Sequence, residues 1–383
     1  MAFLTIDDLK KRAKRKTPKA FHDYVTSGSW SESTLRKNSE DFDKISFRQR
    51  VAVDISNRST STKLLGTNYA MPVALAPVGL LGMQRADGEI LAAQAAERHG
   101  VPFTLSTMSI CSIEEVAKKT TKPFWFQLYV MKDHDFAKRL VKRAKAAGCS
   151  ALVLTLDLQI LGQRHADIRN GLSIPIKVKM SNIADLLSKP GWCYNMAMTK
   201  NRTFGNIMGH VKDINNLSSL TTWVQNQFDT KLNWDDIKRI RDWWGGKIIL
   251  KGIMDPEDAK LAEKIGADAI VVSNHGGRQL DGANSSISML PEIKKNISKT
   301  EVFFDGGIRS GQDILKAIAL GAEGVLIGRS YVYGLSADGK NGVKKSLEIL
   351  NKELDMTMAL CGKKDINLVG RDIIKDCPFF EKN

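Results

Sequence analysis

Eight short runs of apolar, β-branched or aromatic residues recur along the chain, and they restrict its folds more than any other feature. They begin at Val73, Pro102, Phe124, Ala151, Lys247, Ala269, Val302 and Gly324. Their hydrophobicity is continuous rather than alternating, as expected of parallel strands covered on both faces. Most are separated by segments with small or apolar residues at helical spacing that end on glycine, as in 88–100, 136–148, 257–266 and 312–321. Asp255-Pro-Glu and Ser310-Gly-Gln-Asp supply N-terminal caps for two of them. Eight strands alternating with helices predict an α/β protein, a closed (β/α)8 TIM barrel. An open, doubly wound sheet is the alternative, disfavoured because no G-x-G-x-x-G loop follows the first run.

The spacing divides the chain, read as one domain over 1–383, into a helical N-terminal extension (1–70), the barrel (71–362) and a C-terminal tail (363–383). The extension is expected to open with a helix from Ile6 to about Tyr24. The long gap between the fourth and fifth runs holds a helix over 235–244 and an inserted loop over 172–232. Between Gly171 and Leu232 there are seven Lys or Arg against three Asp, mixed with Trp192, Tyr194, Met196, Met198, Phe204 and Trp223. A loop this long in a compact domain is expected to be a lid or an oligomer contact. Its basic, aromatic composition also suits docking on a membrane surface.

The 383 residues, 43% hydrophobic and 26% charged, describe a globular chain. No apolar run reaches membrane-spanning length and the N-terminus lacks a signal-peptide core, so a cytoplasmic location is expected, with peripheral contact on the inner face of the membrane as an extension of it. The five cysteines are scattered and odd in number, which fits free thiols in a reducing compartment; no metal-ligand spacing occurs. The net charge of +15 includes seven cations and no acid between Lys10 and Lys19. Without zinc-finger spacing or an aromatic RNA-binding signature, this run reads as a solvated basic face, with anionic lipid headgroups next and no nucleic acid expected.

In a barrel the chemistry gathers at the C-terminal ends of the strands. Read in order, those positions give Pro77-Val78-Gly79, Ser106, Gln127 with Tyr129, Thr155 with Asp157, Lys251, Ser273 with His275, Asp305-Gly306-Gly307-Ile-Arg309, and Gly328-Arg329. Singly, many of these have structural readings: Asp157 as a cap, Lys251 as a snorkelling lysine, Tyr129 and Thr155 as ordinary strand residues. Together they outline a site. Ser273-Asn-His-Gly-Gly-Arg278 ends an apolar run and presents His275 and Arg278 to a cavity, a proton acceptor beside a fixed cation. That pair suits a 2-hydroxy carboxylic acid, with the arginine on the carboxylate and the imidazole at the hydroxyl-bearing carbon. Glycines and arginines after the seventh and eighth runs mark a phosphate site.

With these motifs, the chain resembles the FMN-dependent 2-hydroxyacid dehydrogenases and oxidases from about Thr5 to Lys363. The resemblance implies FMN as cofactor and a small L-2-hydroxy acid as substrate. It implies His275 as the base, Asp157 as its partner, and Tyr24, Arg164 and Arg278 on the substrate carboxylate, with Tyr129 at the substrate hydroxyl. Pro77, Val78, Gly79, Ser106, Gln127, Thr155, Lys251 and Ser273 would meet the flavin. Asp305, Gly306, Gly307, Arg309, Gly328 and Arg329 would cradle the ribityl phosphate. Whether His275 takes the α-proton or the hydroxyl proton stays open.

Within the family, three features resemble the bacterial L-lactate dehydrogenases linked to quinone or cytochrome. Gly79 stands where oxygen-using members carry alanine. Leu158-Gln-Ile-Leu-Gly-Gln-Arg-His and Arg202-Thr-Phe-Gly-Asn-Ile match that branch, and Met108 occupies a position where bulk limits substrate length. A homotetramer is implied as well. The alternatives are an oxidase that returns electrons to oxygen as hydrogen peroxide and a non-redox barrel that binds phosphorylated ligands or nucleic acid.

Overall fold

The structure is a computed structural model that describes residues 3–172, 180–211, 223 and 227–380. Eight strands lie side by side: β1 (Val73–Leu75), β2 (Thr104–Ser106), β3 (Trp125–Tyr129), β4 (Ala151–Thr155), β5 (Lys247–Ile253), β6 (Ala269–Val272), β7 (Glu301–Asp305) and β8 (Gly324–Ile327). The order β1-β8-β7-β6-β5-β4-β3-β2 is parallel throughout. Closure comes from the Leu75–Phe103 bridge, where Leu75 N–H donates to the Pro102 carbonyl at 2.9 Å. The apolar runs therefore form the TIM barrel that their continuity predicts.

Alternation along each strand splits the core in two. Val73, Leu75, Phe126, Leu152, Ile270, Val302 and their neighbours pack outward against the helices. Ala74, Trp125, Val153, Ile249, Val271, Phe303 and Leu326 fill the barrel interior. There the Trp125 and Phe303 rings stack with centroids 6.1 Å apart, a pairing that adds about 1 kcal/mol beyond area burial. A short hairpin, Thr62–Leu64 with Thr67–Tyr69, places Leu64 in this inner cluster and plugs the barrel floor.

The N-terminal extension departs from expectation. In place of one helix from Ile6 to Tyr24 there are two, α1 (Ile6–Lys16) and α2 (Lys19–Thr26), followed by α3 (Ser33–Asp43). Pro18 lacks an N–H and drives Thr17 into extended backbone (φ −102°, ψ 140°), which ends α1. The break matters because α2 then turns across the barrel mouth and carries Tyr24 there. In the tail, Ile374–Asp376 pairs antiparallel with Ser46–Phe47, tying the chain ends together.

The inserted segment is not merely a loop. It contains helices Met180–Leu187 and Pro190–Met198, the second beginning with a proline where a missing N–H costs nothing. Residues 173–179, 212–222 and 224–226 of the insertion lie outside the described residues. No described helix is long and apolar enough to cross a membrane.

On α2, His22 is buried beside the Tyr333 ring. Burial, aided by Lys10, Lys14 and Lys19 against the opposing Asp23, pushes its imidazole down to about 4 from 6.5. Above pH 6.5 both folded and unfolded chains keep it neutral, so its effect is constant. Between pH 6.5 and about 4 only the unfolded chain takes up the proton, and folding should lose up to about 3 kcal/mol across that window. Urea unfolding at stepped pH measures this; His22→Leu should flatten the slope, and an unchanged slope would assign the loss to other groups.

Candidate active site

At the C-terminal rim the barrel interior turns from apolar to polar. The inward positions that follow the apolar layer are Ser106 on β2, Gln127 on β3, Thr155 on β4, Lys251 on β5, Ser273 just past β6 and Asp305 on β7. Above them opens a cavity of about 520 Å³. Tyr24, Tyr129, Thr155, Arg164, Lys251, His275 and Arg278 line it. So do Pro77, Val78 and Gly79 from the first strand end, and Asp305, Gly306, Gly307, Arg309, Gly328 and Arg329 from the last two. Ser106, Gln127, Asp157 and Ser273 adjoin this lining: Ser106 bonds Gln127, Asp157 meets His275 and Ser273 accepts from Lys251.

His275 has a left-handed backbone (φ 59°), a costly conformation for a residue with a Cβ. Two contacts and the two glycines that follow accommodate it. Its Nδ1 faces Asp157 Oδ1 at 2.9 Å, its N–H donates to Ser273 Oγ at 3.1 Å, and the following glycines, Gly276 and Gly277, also take positive φ. Burial pushes the Asp157 carboxyl up, but His275 and then Lys251 outweigh it and leave it below the usual carboxylate range. An ionised Asp157 so placed favours a proton on Nδ1 and leaves Nε2 as the acceptor.

Lys251 is buried and pairs with Asp305 Oδ2 at 2.8 Å and Ser273 Oγ at 2.7 Å. Ser273, expected against the cofactor, thus spends its hydroxyl on Lys251 and the His275 backbone. Gln127 Oε1 accepts from Ser106 Oγ (3.1 Å) and Thr107 N–H (3.3 Å). Its Nε2, Thr155 Oγ1 and Asp305 Oδ1 are buried without a hydrogen-bond partner. Orphaned polar atoms cost about 1–3 kcal/mol each, so a set of them around one cavity points to a polar guest.

The phosphate end is built from backbone. Gly306 and Gly307 have φ of 108° and 88°, and a Cβ on Gly307 would lie 1.9 Å from the Asn38 carbonyl, so only glycine fits there. Gly328 caps the helix that starts at Arg329, directing N–H groups at the cavity. Arg329 lines this end of the cavity, and its side chain donates to the carbonyls of Val25 (2.8 Å), Gly276 (2.9 Å) and Ser27 (2.9 Å). Burial among neutral carbonyls brings its guanidinium down to about 9.

At the other end, the Arg278 and Arg164 guanidinium carbons sit 4.7 Å and 5.6 Å from the Tyr24 ring centroid. Arg278 also donates to the Tyr24 and Ser27 carbonyls, and Arg164 Nε to Asp167 Oδ2. Tyr129 is raised above its ordinary value, by burial first and then by Tyr24 and Asp157, so it stays a phenol. Several wall residues escaped sequence reasoning: Asp167, Phe21, Met83, Ile110 and Phe228. Only Asp167 left a readable signal, the three-residue spacing from Arg164 that pairs charges on one helical turn.

The model of the family described as FMN-dependent dehydrogenase matches residues 13–376. The chain belongs to this family. A protein of Caulobacter sp. (strain K31) named L-lactate dehydrogenase is 43% identical over 98% of this chain and 99% of its own. One of Vibrio cholerae serotype O1 with the same name is 44% identical over 95% of this chain and 97% of its own. Among solved structures, the monotopic membrane protein (S)-mandelate dehydrogenase is similar at TM-score 0.94 and 34% identity, covering 98% of this chain and 100% of its own. A mandelate oxidase follows at TM-score 0.83 and 34% identity, covering 98% of each chain.

The cofactor of this FMN-dependent family is FMN, and the residues present fit it. The orphaned Gln127, Thr155 and Asp305 atoms suit heteroatoms of a polar ring system and its side chain, and the Gly306–Gly307 turn with the Arg329 helix start suits a phosphate. Gln127→Met and Thr155→Val should each weaken FMN binding by about tenfold, the worth of one hydrogen bond, without lowering the apoprotein's Tm. Fluorescence titration of apoprotein with FMN measures this, and unchanged affinity in both variants would leave the orphaned atoms without a guest.

Proposed function

We propose that the protein, acting as one domain over its whole length, oxidises a small L-2-hydroxy acid, foremost L-lactate to pyruvate, and passes the electrons to quinone or cytochrome. FMN, when bound, supplies the two-electron acceptor. The observation that carries the reading is one cavity holding His275 on Asp157, Arg278 and Arg164 around Tyr24, and a backbone phosphate cradle. Full-length identity of 43–44% to proteins named L-lactate dehydrogenase supports the substrate.

Arg278 and Arg164 hold the substrate carboxylate as charge-assisted donors, with the Tyr24 hydroxyl beside them. Tyr129, kept as a phenol, donates to the substrate hydroxyl or accepts from it. His275 Nε2 receives the proton released at the reacting carbon or its hydroxyl, and Asp157 stabilises the imidazolium that results. Lys251 puts a fixed positive charge under the cavity floor, where negative charge gathers during reduction. Met108 and Gly79 set the size of the pocket: a Cβ on Gly79 would fall 3.2 Å from Met108 Cβ and 3.4 Å from the Tyr24 hydroxyl.

The resemblance to a mandelate oxidase supports a second reading, in which oxygen is the acceptor. Comparing oxygen uptake with dye reduction on L-lactate separates the two. For the membrane-linked reading, Ile183, Leu187, Tyr194 and Met198 are exposed on the insertion helices. Lys189 reaches the Arg15 carbonyl of the basic α1, so an apolar and a cationic surface adjoin. We assign this face to peripheral contact with the cytoplasmic surface of the membrane, and a homotetramer as the working assembly.

Anaerobic stopped-flow mixing with L-lactate should bleach the flavin absorption of the wild type. His275→Gln should retain FMN yet slow bleaching by about 10³-fold, within the range of a positioned base; near-normal bleaching would remove His275 from that role. For the membrane face, co-sedimentation with anionic vesicles at low salt is expected, and Ile183→Asp with Leu187→Asp should release the protein; full recovery of the wild type in the supernatant would count against docking.

A further inference from the structure

Two cations and one anion face the substrate end of the cavity. Arg278 and Arg164 flank the Tyr24 ring, and Asp167 takes Arg164 Nε at 2.6 Å. Asp167 is 6% exposed and lines the cavity, and its second oxygen, Oδ1, is buried with no hydrogen-bond partner. Arg278, by contrast, meets only the Tyr24 and Ser27 carbonyls and has no ion-pair partner among the described residues. Two guanidinium charges and one carboxylate leave one positive charge. Of the other cations lining the cavity, Lys251 pairs with Asp305, Arg309 and Arg329 belong to the phosphate end, and Arg202 donates to the Met196, Ala197 and Thr199 carbonyls.

We propose that Asp167 is a positioning and charge-setting residue that restricts the site to hydroxy acids bearing a single carboxylate. The inference rests on the reading of this cavity as a 2-hydroxy acid site. It deepens that reading by naming what excludes 2-hydroxy dicarboxylic acids. One carboxylate satisfies the unpaired charge of Arg278 and the remaining donors of Arg164. A second carboxylate at this end adds a further negative charge beside Asp167, whose Oδ1 has no hydrogen-bond partner. Burial raises the stakes, because a charge that is not matched there is far less screened than in water. Arg164 behaves accordingly: burial works against its charge, but Tyr24 and Asp167 outweigh that effect.

The test uses holoenzyme and two probes of binding that need no turnover, pyruvate with one carboxylate and oxalate with two, each read by the perturbation of the flavin spectrum. Asp167→Asn should tighten oxalate relative to pyruvate by about tenfold, the effect of one unit charge at several ångströms in a partly screened site. The ratio of kcat/KM for L-malate to that for L-lactate should rise by a similar factor. Arg164→Met should move both ratios in the opposite direction, so the proposal remains open to refutation even where Asp167→Asn loses FMN. Ratios that stay within twofold of wild type, or that move the same way in both variants, overturn it. A wild type whose flavin is not bleached by any 2-hydroxy acid would overturn the parent reading instead, while the oxalate-to-pyruvate ratio would still report on Asp167.

Discussion

Two arginine side chains hold the site together by closing the C-terminal end of α2 onto the loop that carries His275. A helix leaves its last carbonyls without partners. Here Arg278 takes those of Tyr24 and Ser27, and Arg329 takes those of Val25 and Ser27 together with Gly276 of the histidine loop. Ser29 N–H adds a bond to the Gly277 carbonyl at 3.0 Å. The loop therefore cannot move without α2, nor Tyr24 without Arg278. This rigidity is what allows His275 to keep a left-handed backbone, whose cost of about 1–2 kcal/mol needs surroundings that over-determine it. Gly277 completes the joint, since a Cβ there would lie 2.5 Å from the Leu35 nitrogen of α3.

The buried charges sort themselves by what they leave unpaired. Lys251 with Asp305 and Arg164 with Asp167 are ion pairs at 2.8 and 2.6 Å, and Asp157 holds the His275 imidazole at 2.9 Å. Isolated charges in such surroundings are expensive, and pairing is the ordinary remedy. Arg278 and Arg329 are exceptions, solvated by carbonyls alone. Each faces one end of the same cavity, and each end is where the proposed chemistry brings an anion, a carboxylate at one and a phosphate at the other. The cations left without a carboxylate partner are thus placed at its two poles.

Most of the barrel was legible in the sequence because continuous apolar runs have few other uses, and the polar residues that end them fell at the rim by strand geometry alone. The His275–Arg278 motif was readable for the same reason. What could not be read depended on partners distant in the chain. Nothing in Arg329 itself indicates that its side chain would be consumed by α2, and nothing in Thr62–Tyr69 indicates a hairpin that plugs the floor, since its residues are mostly polar and its strands short. Phe228 and Ile110 reach the cavity from loops whose course only the folded chain defines. The break at Pro18 is different: the residue is in plain view, and its effect on Thr17 follows from the ring alone.

The insertion contributes to two surfaces, the cavity wall and an exposed face. Its return, from Thr199 to Ile207, is fixed to the barrel top. Asn206 is fully buried and bonds Ile113 N–H, Ser109 Oγ and the Ser106 and Thr107 carbonyls, while its own carbonyl accepts from Arg143. Gly205 approaches the Ile110 carbonyl so closely that a Cβ would lie 2.6 Å from it. Arg202, Thr203 and Phe204 thereby reach the cavity from an anchored base. The helices before them expose Leu187, Tyr194 and Met198 instead. Arg202 joins the two parts, since its guanidinium donates to the Met196, Ala197 and Thr199 carbonyls at the end of the second helix. The helices also meet the wall directly, because Trp192 Nε1 donates to the Met83 carbonyl at 2.9 Å and the Trp192 ring stacks on Phe21 with centroids 5.5 Å apart, so the exposed face and the cavity wall are joined through Trp192 as well as through Arg202.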